Sequence, residues 1–324
     1  MSTTANTAKR QRAAGTDRRK KTAVKGRVRL TKGGLDFGFL VTVLVLLVLG
    51  LIMVFSASYP SAYYQYNNGF YFIQKQLQWA AIGVAAMIFT INFDYRNYKK
   101  LAVPILVVSI VLLLAVLVIG TDIKGAKRWI GIGGLSFQPS EVAKIALIIY
   151  FAYSLSSIKD KIKEFKYLIR YWLLMGVFFG LLLLEPHFSI CIIIGLTMVI
   201  MLLVAGARVR YFALAAAPVG ALGVAIAIFE PYRLQRLVTF TNPFADRLGD
   251  GWQIIQSLYA IGSGGLFGVG FGNSRQKFMY VSEPQNDFIF SIVCEELGLI
   301  GAVAILIIFG LLLWKGMKIA VNAP

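Results

Sequence analysis

The residues of this chain best suited to chemistry are carboxylates and cations near the ends of long apolar blocks. Asp287 stands in Glu283-Pro284-Gln285-Asn286-Asp287-Phe288-Ile289-Phe290, at the start of such a block. A carboxylate there is near water yet beside hydrocarbon, a setting that suits general-base work. The same aspartate could instead cap the helix that follows. Glu141 and Lys144 lie in Gln138-Pro139-Ser140-Glu141-Val142-Ala143-Lys144, three residues apart and so on one helix face. Ionisable groups within a span face a bundle interior or a wet cavity, so this is a functional pair or a purely structural one. Glu295 and Glu296 follow two turns beyond Asp287, where a structural partnership is expected.

Two segments collect cations. One carries Lys124, Lys127 and Arg128, the other Arg233, Arg236, Arg247, Arg275 and Lys277. Cations beside a bilayer suit a ligand with phosphates at headgroup depth. Alternatively they hold anionic lipid or pair with local acids such as Asp246 and Asp250. Other chemistries are excluded. His187 is the single histidine, without Cys or His at ligand spacing, which leaves no metal site and no Ser-His-Asp set. Cys191 and Cys294 sit in separate apolar blocks and read as small hydrophobes. The glycines from Gly262 to Gly272 are not enclosed by a strand–turn–helix unit, so they read as tight backbone packing rather than a dinucleotide loop.

The elements that must position these residues are membrane helices. The 324 residues are 58% hydrophobic and 15% charged, whereas a soluble domain is nearer half apolar and a quarter charged. Eight apolar segments run near 36–56, 72–91, 101–120, 138–157, 168–184, 188–205, 211–229 and 288–313. Blocks this long are helices, because lipid leaves backbone groups no other partner. The expected fold is therefore all-α, a polytopic transmembrane helix bundle of about eight spans. Residues 1–35 form a basic disordered tail, expected in the cytoplasm beside anionic headgroups rather than on nucleic acid. Lys and Arg in alternate loops support that orientation, with the C-terminus also inside. Ser56-Ala57-Ser58 looks like a signal-peptidase site, but the block before it is a full span, which favours an uncleaved anchor. Two outside loops break the charge rule: the third-to-fourth, and the long extracytoplasmic loop between spans 7 and 8, about 230–286. A loop of that length is uncommon unless functional.

From about Asp36 to the end, the chain resembles the SEDS family of bacterial wall-building proteins (FtsW, RodA and SpoVE). The carriers are Ser56-Ala57-Ser58, Lys124-Gly125-Ala126-Lys127-Arg128-Trp129-Ile130, and Phe137-Gln138-Pro139-Ser140-Glu141 with Lys144. Asn242-Pro243, Gln253, Gln256-Ser257, Ala260-Ile261, Ser263-Gly264-Gly265, Asn286-Asp287-Phe288-Ile289-Phe290 and Glu295-Glu296-Leu297-Gly298 continue the series. The basic tail and the Gln276-Lys277-Phe278-Met279-Tyr280 approach to Asp287 look most like FtsW.

The resemblance implies a peptidoglycan glycosyltransferase of the bacterial inner membrane that polymerises lipid II into β-1,4 glycan strands. It implies work in cell division beside a class B penicillin-binding protein and other division proteins. It matches Asp287 to the family's essential aspartate, and Glu141 and Lys144 to its paired residues. Lys124, Lys127, Arg128, Arg233 and Arg236 become candidates for the pyrophosphate. No ligand cluster demands a metal, although a divalent cation (Mg or Mn) could share the phosphate charge. Two rival expectations are a lipid II flippase or transporter and a non-catalytic scaffold of the division machinery. There are departures. Family members usually have ten spans, so the last two are expected to be missing here, and Glu185-Pro186-His187-Phe188-Ser189 replaces a pattern with Asp and Gly.

Overall fold

The computed structural model of the protein describes residues 34–123, 126–132, 135–213 and 239–323. They form two compact units, one of the described residues up to Leu77 and from Ser257 on, the other of those from Gln78 to Gln256.

In the first unit, helix α1 (Phe37–Tyr66) begins at Asp36, whose carboxylate accepts a hydrogen bond from the Phe39 amide at 2.9 Å. Its 30 residues reach about 45 Å, well beyond a hydrocarbon core of about 30 Å. The surplus turns expose Tyr63, Tyr64 and Tyr66, rings suited to the interface between lipid and water. Helix α2 (Tyr71–Asn92) follows, in this unit as far as Leu77 and in the other from Gln78, with none of its residues buried. The last helix of the chain, numbered α8 below (Ile289–Val321), packs on α1. At the buried centre of their contact, Met53 and Ala57 of α1 meet Ile292 and Val293 of α8. Small residues carry much of the buried face of α1, including Ser56, Ala57, Ser58, Ser61 and Ala62, and small side chains let helices in lipid approach closely.

In the second unit, α3 (Tyr98–Ile119), α4 (Pro139–Ile158), α5 (Phe165–Leu184) and α6 (Phe188–Val204) share one core. Each contributes a stripe at helical spacing. On α4 it is Ala143, Leu147, Phe151 and Leu155; on α6 it is Ile190, Ile194, Met198 and Leu202. The opposite faces are equally apolar, with Val118, Leu184 and Val204 exposed. That inversion of a soluble protein's surface is what lipid requires. A 12-residue helix, α7 (Trp252–Ser263), lies within the stretch read as a long loop.

The eight expected spans compare with the described residues as follows. Among the described residues, five helices are long and apolar enough to cross a membrane: α1, the segment Tyr95–Ile119 (which contains α3), α4, α5 and α8, so that α2, at the expected span 72–91, is not one of them. The segment at 188–205 is a helix of 17 residues, shorter than the roughly 20 that a straight span needs. The segment near 211–229 lies almost entirely outside the described residues. The segment between α3 and α4, read as a loop, instead holds three short antiparallel strands, β1 (Thr121–Ile123), β2 (Ala126–Ile132) and β3 (Leu135–Phe137), in the order β1-β2-β3. Charged residues hid the pattern, because Lys127, Arg128 and Trp129 do not alternate in hydrophobicity.

Helix α8 is broken inside. Gly298 has φ 67° and ψ −171°, a conformation essentially confined to glycine. The break frees amides and carbonyls that the glycine-rich segment then satisfies. The Leu299 and Ile300 amides donate to the carbonyls of Gly265 and Leu266 at 2.9 and 3.2 Å. In return, the Val269 and Gly270 amides donate to the carbonyls of Glu295 and Glu296 at 2.9 and 3.1 Å. The two backbones are so close that a Cβ on Gly298 would lie 2.3 Å from the Gly268 nitrogen, and one on Gly264 would lie 1.9 Å from the Cys294 carbonyl oxygen. Gly298→Ala is therefore expected to destabilise the protein by on the order of 3 kcal/mol. Gly310→Ala, where no atom stands in the way, is expected to be nearly neutral. Thermal unfolding of the two variants in detergent checks the difference, and equal midpoints would refute it.

Candidate active site

The break in α8 turns both glutamates before it into anchors. Glu295 is 2% and Glu296 1% exposed. Glu295 accepts from the Ser274 hydroxyl at 2.5 Å and from the Arg275 amide at 2.9 Å. Glu296 pairs with the Lys277 ammonium at 2.8 Å. Ser56 of α1 completes the network: its hydroxyl lies 2.7 and 2.8 Å from the two Glu296 oxygens and accepts from Lys277 Nζ at 3.2 Å. Lys277 also donates to the Gly272 carbonyl at 2.7 Å. One buried charge pair thus clamps the first helix, the last helix and the segment leading to Asp287. Lys277 is accordingly not a free cation, and of the readings open for it the local ion pair holds, with Glu296 rather than Asp246 or Asp250 as partner. Asp246 instead accepts the Gly249 and Asp250 amides at 3.0 and 3.1 Å, closing its own turn.

Asp287 lies at the end of this clamped segment, two residues before α8, with its side chain exposed. The residue capping α8 is Phe288, and Asp287 makes no side-chain hydrogen bond there, so the capping role open to it is not the one it takes. Its chain neighbour Asn286 lines a cavity of about 450 Å³, together with α1, Phe72, Lys277, Met279 and residues 281–285.

In the second unit a different group of polar residues converges on the hairpin between α5 and α6. Strand β2 sends successive side chains to opposite faces. Lys127 points outward and is exposed, whereas Arg128 turns toward the hairpin. The Arg128 guanidinium donates to the Glu185 carbonyl at 3.1 Å and to the Pro186 carbonyl. His187 packs against the start of α4, its Nδ1 3.3 Å from the Gln138 amide nitrogen and 3.5 Å from the Ser140 hydroxyl. One turn on, Lys144 pairs with Glu141 at 2.8 Å, half-exposed. The ion pair expected from their spacing is therefore formed. Lys124, Arg233 and Arg236 lie outside the described residues. Among the described residues, no three His, Cys, Asp or Glu come together to hold a metal ion.

Glu185 carried no assignment from its sequence context. It is 1% exposed, and both carboxylate oxygens lack a partner among the described residues. Burial pushes its pKa up to about 7, opposed by the Arg128 cation. Burial and then Arg128 push His187 down, which keeps it neutral. The folded chain holds the Glu185 proton more tightly than the unfolded chain does. Stability is thus greatest with Glu185 protonated, falls as pH rises from the ordinary value of 4.5 to about 7, and is level above. The full decline is on the order of 3 kcal/mol. Glu185→Gln keeps the shape without the charge and is expected to flatten that decline. Thermal unfolding across this pH range in detergent checks it; an unaltered slope would count against a buried acid.

The profile of the family described as cell cycle protein, FtsW, RodA and SpoVE, matches residues 38–324. The chain belongs to the FtsW/RodA/SpoVE family. This SEDS-family chain is accordingly a multi-pass membrane protein. It is 42% identical over 298 residues to stage V sporulation protein E of Bacillus subtilis, covering 89% of this chain and 80% of that one. It is 40% identical over 294 residues to a protein named probable peptidoglycan glycosyltransferase FtsW of a Geobacter species (strain M18), covering 90% and 80%. Overall identity is as high to this SpoVE as to the FtsW relative. Among solved structures, the SEDS fold here matches a chain from work described as structural coordination of polymerization and crosslinking by a peptidoglycan synthase complex. That match has a TM-score of 0.71 and 27% identity, and covers 90% of this chain and 80% of that one. The rod shape determining protein RodA of Thermus thermophilus matches with a TM-score of 0.61 at 26% identity, over 90% and 77%.

Proposed function

We propose that this protein is a peptidoglycan glycosyltransferase that polymerises lipid II into β-1,4 glycan strands by a single inverting displacement. The observation that carries the reading is Asp287: an exposed carboxylate without a capping role, at the end of a segment clamped by buried ion pairing, next in the chain to a residue lining a polar cavity. The donor is an α-linked lipid pyrophosphate, so a β product requires inversion. Inversion needs one general base and no covalent nucleophile.

Asp287 takes the proton from the acceptor sugar hydroxyl. The hydroxyl oxygen bonds to the anomeric carbon of the donor as the bond from that carbon to phosphate breaks, and the pyrophosphate leaves with the electron pair. Lys124, Lys127, Arg128, Arg233 and Arg236 are the cations proposed to stabilise that developing charge. Arg128 spends two donors on hairpin carbonyls, yet a guanidinium carries five, so others remain for phosphate. Glu141 and Lys144 are the proposed supporting pair.

The proposed setting is the bacterial cytoplasmic membrane, with residues 1–35 inside, beside a class B penicillin-binding protein and other division proteins. A synthase complex is the context of one of the structural matches. The test is strand formation from purified lipid II by the detergent-solubilised chain. A flippase has no task where there is no second leaflet, so polymer in detergent supports the transferase. Its absence from an intact, folded preparation would favour the transporter or scaffold.

A further inference from the structure

We infer that the end of the second unit where α5 begins holds the headgroup of an anionic phospholipid, with an acyl chain laid along one face of α5. Charge is the first argument. Lys161, Lys166 and Arg170 stand 5.9, 5.2 and 5.7 Å from the centre of a single ring, that of Tyr167. All three are exposed. The ring attracts each cation, but it carries no net charge to offset their mutual repulsion. The local acids do not offset it either. Asp160 pairs with Lys163 at 2.7 Å, and Glu164 is in no ion pair among the described residues.

A second group of cations adjoins the first. The Tyr211 ring meets Phe165 of α5 at 5.4 Å, and the Arg210 guanidinium lies over that tyrosine at 4.9 Å. The Arg208 carbonyl accepts the Tyr211 amide at 3.1 Å, so both arginines belong to the same turn. Among the described residues, none of these five cations has a carboxylate within 4 Å. Cations gathered by aromatic rings without an acid call for an anion from outside the chain. Phosphate oxygens suit both ammonium and guanidinium donors.

The face beyond the cations makes that anion a lipid. Lys166 and Arg170 are four residues apart and share one face of α5, which Leu173, Val177 and Leu184 continue at helical spacing, all exposed. Gly180 falls in the same row, with no atom within 4 Å of where a Cβ would stand, and leaves a shallow groove. Helix α5 is long and apolar enough to cross a membrane. Its first turns therefore lie at headgroup depth and the stripe lies in hydrocarbon. In the proposed orientation the leaflet is the cytoplasmic one. A free phosphate or an acidic peptide uses the cations alone, whereas a phospholipid uses both the cations and the stripe.

The experiment labels the full chain in detergent with phosphatidylglycerol that carries a photoreactive group on its acyl chain, and maps the label by mass spectrometry. Label is expected on the peptide containing Leu173 and Val177. Replacing Lys161, Lys166 and Arg170 together by Gln is expected to weaken binding on the order of a hundredfold, at roughly fivefold per cation. The basic tail is unaltered in that variant, so it cannot produce the difference. Lys166→Arg combined with Arg170→Lys keeps the charges and is expected to keep the label. On the wild type, unlabelled phosphatidylglycerol is expected to compete, and phosphatidylcholine and glycerol phosphate are not. Equal competition by phosphatidylcholine, or wild-type labelling of the triple Gln variant, overturns the headgroup site. Equal competition by glycerol phosphate overturns the lipid in favour of a free phosphate. Equal competition by hexaglutamate overturns it in favour of an acidic protein segment.

Discussion

An Asp287→Ala chain is expected to fold normally and to lose glycan synthesis by on the order of a hundredfold or more, the usual contribution of one general base. Both halves of the expectation come from geometry. The side chain is exposed and does not cap α8, so its removal strands no buried donor. Exposed substitutions of that kind typically shift stability by less than about 0.5 kcal/mol. The lost rate therefore reports chemistry. Asp287→Asn sharpens the result, because it keeps size and hydrogen-bonding capacity but cannot take a proton at neutral pH. Strand yield from purified lipid II, with unfolding midpoints measured on the same preparations, checks both. Unchanged polymer from either variant would remove Asp287 from the mechanism.

The second large effect is expected at a distance from the reacting atoms. Glu296→Ala leaves the Lys277 ammonium, 4% exposed, buried without its counter-charge. Breaking such a pair from one side costs about 3–5 kcal/mol, a large fraction of any protein's stability. The approach to Asp287 is expected to loosen and synthesis to fall with the unfolding midpoint. Removing both charges is expected to be milder. Glu296→Leu combined with Lys277→Met replaces the pair with apolar groups of similar size, and such swaps are often neutral or better. Ser56→Ala, which deletes one bridging hydroxyl, is expected to cost only about 1 kcal/mol. Unfolding midpoints of Glu296→Leu, Lys277→Met and the two combined form a double-mutant cycle. Additive effects in it would mean that Lys277 and Glu296 do not depend on one another.

Particular residues show how far sequence reasoning reached. The place of Asp287 was legible, because the step from polar to apolar sequence is a local signal and α8 does begin at Ile289. The Glu141–Lys144 pair was legible because a three-residue spacing places two side chains together whatever else the chain does. The importance of Glu185 was not. Its burial depends on how the hairpin packs, and an acid between two spans reads as solvated until that packing is known. Lys127 and Arg128 read as one cationic patch, yet the pleat of β2 sends them to opposite faces.

What the sequence by itself determined is the class of the protein: long apolar blocks, the helices they must form, the basic tail and the acid at the mouth of α8. Those follow from transfer energies and helical spacing, which act over a few residues and need no knowledge of the rest of the chain. Tertiary structure alone decided which charges are committed and which are free. Ser56, Lys277 and Glu296 come together across separations of 221 and 240 residues, and the break at Gly298 is stable only because a distant glycine-rich backbone supplies the missing hydrogen bonds. A buried charge or an unsatisfied amide takes its partner from whatever the fold brings within about 3 Å, and linear order does not encode that proximity.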